Sequence, residues 1–152
     1  MAKHTPSHLT DHVGFWLRRV SNHVSHAFIR KLKERNVSAA EWVVLRTLYE
    51  NGSASIGYLG QATGLTKGAV SKVTKKLFSK KLLYARASNQ DRRSVDVFLT
   101  KRGRDLVPTL ADVADENDRQ YFSCLKKSDQ NELMCLLKKV VETHQLVEFP
   151  TN

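Results

Sequence analysis

Between Lys67 and Arg104 the chain sets twelve Lys or Arg side chains against two Asp, a surplus of ten that equals the net charge of all 152 residues. Residues 1–66 add eight basic and four acidic groups, and residues 105–152 add five and nine, so the flanks cancel and the positive field is confined to one quarter of the sequence. Such a cluster does the chemistry of phosphate binding, because neutralising backbone phosphates releases condensed counterions and gives salt-dependent affinity. Its groups fall into two sets. Thr66, Lys67, Gly68, Ser71, Lys72, Lys75 and Lys76 share one side of a helical repeat, and Arg86, Asp91, Arg92 and Arg93 gather around a polar loop.

The elements that must position these groups are legible from periodicity. Ile56, Leu59, Gly60, Gly64, Leu65, Val70 and Val73 have the spacing of a helix-turn-helix. In that reading Gly60 permits close approach, Gly64 takes the positive φ of the turn, and Thr66 caps the second helix. Burying Val70, Val73 and Leu77 then leaves the Lys67–Lys76 side facing outward, where a major groove would meet it. Leu82 to Arg86 and Ser94 to Leu99 alternate as β-formers and predict a hairpin, with residues 87–93 as its loop, a wing.

Upstream, apolar residues from Leu9 to Leu32 recur at three and four and predict a long first helix. Ser38-Ala-Ala-Glu41 is a capping box that starts a second helix near Ala39, which stops at Asn51-Gly52, and Ser55 caps a short third. Downstream, Thr100 caps a fifth helix reaching about Leu125 and bent at Pro108, and Ser128 caps a sixth. Leu9 and Val13 at one end, and Leu133, Leu136, Leu137, Val140 and Val141 at the other, form stripes too apolar for terminal helices to hide alone. Their simplest burial is against a second copy, and a two-fold homodimer also suits palindromic DNA read about one helical turn, roughly 34 Å, apart. The expected fold is mainly α with a small β-hairpin wing. Residues 1–34 form an N-terminal dimerisation helix, 35–100 a winged helix-turn-helix lobe, and 101–152 C-terminal dimerisation helices.

With these residues in place the chain resembles the MarR family of transcriptional regulators over essentially its whole length. The wing carries the resemblance most strongly: Asp91, Arg93, Val97, Leu99 and Thr100 follow the family's spacing, with Gly103 beyond them, and Leu65 to Lys72 is similar to the family's recognition segment. The resemblance implies a dimer with Lys67–Lys76 in successive major grooves and the wing arginines in the flanking minor grooves. Ser71 and Lys72 suit base edges, Lys75, Lys76 and Arg86 suit phosphates, and Arg93 suits a narrow minor groove. In the family the Asp orients the arginine by pairing with it; for Asp91 both Arg93 and Arg92 are available. Repression is a family expectation, and the residues are equally compatible with an activator.

The family also binds small aromatic carboxylates or phenols in a cleft beside the DNA-binding lobe. His12, Trp16 and Arg19, with Trp42 and Arg46 opposite, are this chain's candidates for such a small aromatic anion, since guanidinium pairs with carboxylate and indole covers a ring. Trp16 and Trp42 at helical spacing read more readily as core residues. The His8/His12 and His23/His26 pairs lack further metal ligands nearby apart from Asp11. Cys124 and Cys135 fall outside any CxxC spacing and read as buried apolar residues. No P-loop, HExxH, nucleophile elbow or paired-carboxylate motif argues for an enzyme or a cofactor. No run reaches the roughly 20 apolar residues of a membrane span and Met1 to Pro6 offers no secretory signal, so the expected compartment is the cytoplasm. The competing function is a non-specific architectural DNA-binding protein, which needs the same basic surface without sequence preference.

Overall fold

The structure, a computed structural model, describes residues 6–87 and 95–146. Six helices and three short strands follow in the order α1 (Val13–Glu34), α2 (Ala39–Asn51), β1 (Ser53–Ser55), α3 (Ile56–Thr63), α4 (Lys67–Ser79), β2 (Leu83–Ala87), β3 (Val95–Leu99), α5 (Lys101–Phe122) and α6 (Lys127–Thr143). The expected mainly helical class with a small β wing holds. The strands form an antiparallel sheet in the order β1-β3-β2, so β3 is central. Among the described residues no helix is long and apolar enough to cross a membrane.

The core joins Leu32 of α1, Val44, Leu45 and Leu48 of α2, Leu59 of α3, Val70 and Leu77 of α4, Val97 and Leu99 of β3, and Val107 and Leu110 of α5. Each of these elements therefore contributes its apolar stripe to one centre, and that shared burial fixes how the helix-turn-helix and the wing sit on α2 and α5.

Several starts and stops obey the capping logic of the sequence. Ser38 Oγ accepts from Glu41 N at 3.2 Å while Ser38 N donates to the Glu41 carboxylate at 2.7 Å. Gly52, at φ +77°, ends α2, and Ser55 Oγ accepts from Tyr58 N to start α3. Thr100 Oγ1 accepts from Gly103 N at 3.0 Å at the head of α5, which runs uninterrupted through Pro108.

Other expectations are corrected. The first helix begins at Val13 rather than Leu9: His8 N donates to the Asp11 carboxylate, closing a separate 3-10 turn over Leu9–Asp11, and His12 is extended. β1 is unanticipated, because three residues carry no periodicity; Ala54 is nonetheless buried where it pairs with Val97. α5 ends at Phe122, short of Leu125. Ser128 does not cap α6, whose N-cap position is Lys126; the Ser128 hydroxyl donates to Asp129 instead. Cys124 and Cys135 are exposed in the single chain, not buried, because they fall where α5 and α6 extend past the core, and α6 buries none of its residues.

Glu41 does more than cap. Its second carboxylate oxygen receives Lys80 Nζ at 2.7 Å, and the same ammonium donates to Asn36 O at 2.6 Å. This ties the C-cap of α4 to the start of α2, so Lys80 is committed inside the chain rather than to a solvated basic face. Burial pushes the Glu41 carboxyl upward, but Lys80 and the Ser38 N–H outweigh it and hold the group below its usual value of 4.5. A carboxyl lowered on folding stabilises fully above its unfolded pKa, and that contribution disappears as pH falls through the folded value. Glu41→Gln should therefore cost about 1–2 kcal/mol at neutral pH, less than a fully buried pair because Lys80 keeps part of its side chain in water. In urea unfolding the deficit should shrink as pH falls below 4.5 and through the lowered folded value, where wild-type Glu41 is itself protonating. An equal deficit at pH 7 and at the acid end would contradict this assignment.

Candidate nucleic-acid interface

α4 is held by three local devices. Gly64 adopts φ +68°, the left-handed conformation the tight turn requires. A Cβ at Gly60 would come 3.3 Å from the Leu65 carbonyl, so the close approach there is to the turn itself. Thr66 Oγ1 accepts from Ala69 N at 3.3 Å and caps the helix. Val70, Val73, Thr74 and Leu77 are then buried, with Thr74 Oγ1 donating back to Val70 O at 2.8 Å.

That burial turns Thr66, Lys67, Gly68, Ser71, Lys72, Lys75 and Lys76 outward, and all seven are exposed. Among the described residues the ion pairs are Arg46 with Glu50, Lys80 with Glu41, and Arg119 with Glu116, so the four exposed lysines of α4 keep their ammonium groups free of carboxylates. Nothing lies within 4 Å of where a Gly68 Cβ would stand. Packing inside the chain thus gives no reason for a glycine there, whereas a surface approached closely by a bulky partner would.

The wing is partly within view. β2 and β3 pair antiparallel, with Leu83 opposite Leu99, Ala85 opposite Val97 and Ala87 opposite Val95 on one face, and Tyr84 opposite Phe98 and Arg86 opposite Asp96 on the other. Arg86 is exposed. Asp91, Arg92 and Arg93 lie outside the described residues. The Tyr84–Phe98 pair, stacked at 5.2 Å, escaped the sequence reading; their direct opposition follows from strand register and was within reach of it.

The candidate ligand residues are not gathered into one cavity by a single chain. Trp16 is exposed on α1, donates its indole N–H to Thr10 O at 2.9 Å, and carries the Arg19 guanidinium 6.0 Å from its ring centroid. His12, at the N-cap of α1, lies 3.1 Å from the Ser7 hydroxyl. Trp42 packs edge-to-face on Phe28 against the core, while Arg46 pairs with Glu50 at 2.7 Å on exposed α2 surface. A cavity of about 530 Å³ opens instead between α5 and α6, lined by Phe122, Leu133 and Met134 together with Asp115 and Asp118. Burial and the neighbouring Asp115 carboxylate raise the Asp118 pKa, and Arg119 and Lys127 line the same cavity, so its charges are mixed.

The chain therefore presents a basic helix face with a wing beside it, and exposed apolar residues along α1 and α6. Leu9 and Val13 are 72% and 81% exposed, and Leu136, Leu137, Val140 and Val141 are exposed as well. Leu133 alone of the α6 set is half-buried.

Comparison with known proteins matches the MarR family model to residues 37–95, the stretch that holds the helix-turn-helix and most of the hairpin. The HTH-type transcriptional regulator YkoM of Bacillus subtilis, itself uncharacterized, is 31% identical over 121 residues, spanning 80% of this chain and 79% of that protein. The HTH-type transcriptional repressor NicR of Pseudomonas putida is 23% identical over 141 residues, 93% of this chain and 89% of that one. Among solved structures, BpsR of Bordetella bronchiseptica, whose DNA binding is regulated by 6-hydroxynicotinic acid, superposes with a TM-score of 0.78 at 30% identity, covering 90% of this chain and 97% of that one.

Proposed function

The chain belongs to the MarR family of transcriptional regulators, and from that premise we propose that it works as a homodimeric repressor on a palindromic operator. α4 of each copy enters a major groove, Ser71 and Lys72 meet base edges, and Lys75, Lys76 and Arg86 hold phosphates. Arg92 and Arg93 of the wing reach the flanking minor grooves, with Asp91 orienting one of them. The observation that carries this reading is the α4 face itself: Lys67, Lys72, Lys75 and Lys76 are exposed together and engaged by no carboxylate among the described residues. Charges left uncompensated within the fold are available to a polyanion. Dimerisation is supported by the exposed apolar residues of α1 and α6, which exceed the scattered exposure normal for a monomer.

Salt titration of binding to a mixed-sequence duplex tests the phosphate contacts. Wild type should show log K falling steeply with log salt, and Lys75→Ala should flatten that slope by about one unit while weakening all sequences alike. An unchanged slope would remove Lys75 from the interface, and an altered base preference would move it from phosphate to base readout.

The effector we propose is a small aromatic anion seated where Trp16 and Arg19 approach Trp42 and Arg46 in the assembled dimer. Arg19 already lies over an indole, and the exposed Arg46–Glu50 pair is weak enough to open for a carboxylate. The regulation of BpsR by 6-hydroxynicotinic acid supports the ligand class. In thermal-shift measurements that acid should raise the melting temperature of wild type and not of Arg19→Ala; identical shifts would place the ligand elsewhere.

A further inference from the structure

The outer face of the β2–β3 hairpin carries an arrangement that the charge count alone does not explain. Tyr84 and Phe98 are paired across the strands, and their rings stack with centroids 5.2 Å apart and planes 14° from parallel. Arg86 follows Tyr84 by two residues and so shares its face. Its guanidinium carbon lies 5.1 Å from the Tyr84 centroid and 6.0 Å from that of Phe98. Asp96 stands directly opposite Arg86 in the register, yet the two form no ion pair. The guanidinium is thus drawn over the aromatic pair and not neutralised by the carboxylate across from it.

Cation–π attraction of this kind has a specific consequence. A guanidinium held near ring faces by its charge keeps its planar fork of N–H groups available to match two oxygens of a phosphate. A free arginine would lose rotamer freedom on gripping that phosphate, whereas one already ordered on a rigid pair loses less.

We propose that Tyr84 and Phe98 are positioning residues, a two-ring platform that presents Arg86 edge-on to a phosphate of the DNA backbone beside the groove occupied by α4. The proposal rests on the DNA-binding reading and adds to it the residues that make one contact bidentate rather than a loose charge.

A double-mutant cycle in the full chain, read by salt titration on a mixed-sequence duplex, tests it. Arg86→Ala should weaken binding by about five- to ten-fold and flatten the salt slope by about one unit. Replacing both rings, Tyr84→Leu with Phe98→Leu, should weaken binding by about three- to five-fold. In the Arg86→Ala background the same ring replacement should cost nothing further, and Tyr84→Phe should bind as wild type does. An equal loss in both backgrounds would mean that the rings merely hold the hairpin together, and would overturn the proposal. So would unchanged binding when the rings are removed from the wild-type background, or a slope indifferent to Arg86→Ala. Failure of the wild-type protein to bind any duplex in dilute salt would instead sink the reading on which the proposal stands.

Discussion

Leu137→Asp combined with Val13→Asp is expected to turn the proposed dimer into monomers or aggregates, and to lower affinity for a palindromic duplex by about 100-fold or more. Both residues sit on faces with no partner inside the chain: Val13 is 81% exposed and Leu137 is 38% exposed, flanked by Leu136, Val140 and Val141. Each such side chain gains about 1.5–3 kcal/mol when fully buried, so a two-fold interface built from both helices has ample driving force. An aspartate in the middle of it would be desolvated without a partner, which cores do not tolerate. The DNA effect follows from linkage. In the proposed dimer one helix-turn-helix grips one half-site, and the second half-site is held at high effective concentration only while the two lobes are joined. Sedimentation velocity and a gel-shift titration on the same preparation read both consequences. A well-behaved dimer with undiminished affinity would put the interface elsewhere.

Gly103→Ala is expected to cost about 3 kcal/mol, lowering the melting temperature by on the order of 10 °C. The added methyl would stand 2.3 Å from the Leu82 carbonyl oxygen and 3.3 Å from Leu99 Cδ2. That carbonyl cannot easily move, because it already accepts from Thr100 N at 3.0 Å and belongs to a buried leucine. Thr100 Oγ1 also donates to Lys81 O at 2.9 Å, so the head of α5 is sewn onto the segment entering β2. Gly103 is what allows the helix to come that close. Calorimetry comparing the variant with wild type checks it, and an unaltered melting temperature would show that α5 and the β2 entry can slide apart at little cost.

This same contact shows how sequence and structure divided the work. Gly103 was legible as part of a motif, beyond the Asp91-to-Thr100 spacing, but its reason was not, since that lies in a carbonyl brought near by tertiary packing. α4 was legible in full: Thr66 as cap, Gly64 at positive φ, Val70, Val73 and Leu77 inward, and lysines outward all follow from local sterics and period. What local reasoning missed was set by partners distant in sequence. β1 exists because Ala54 meets Val97, and Lys80 left the basic surface because Glu41, 39 residues earlier, was waiting for it. Cys124 and Cys135 were misjudged because composition says which residues favour burial without saying where the core ends. The proposed ligand residues remained apart for a related reason, since Trp42 packs on Phe28, about three turns along α1 from Trp16.

Selection of bound sequences from a random pool of DNA duplexes tests the central claim most directly, because it asks at once for specificity, symmetry and spacing. The account expects an inverted repeat with half-sites about one helical turn apart, bound at least about 10³-fold more tightly than random DNA. Recovery of unrelated duplexes with no shared repeat, all bound equally and released together by salt, would contradict it and identify an architectural DNA-binding protein instead.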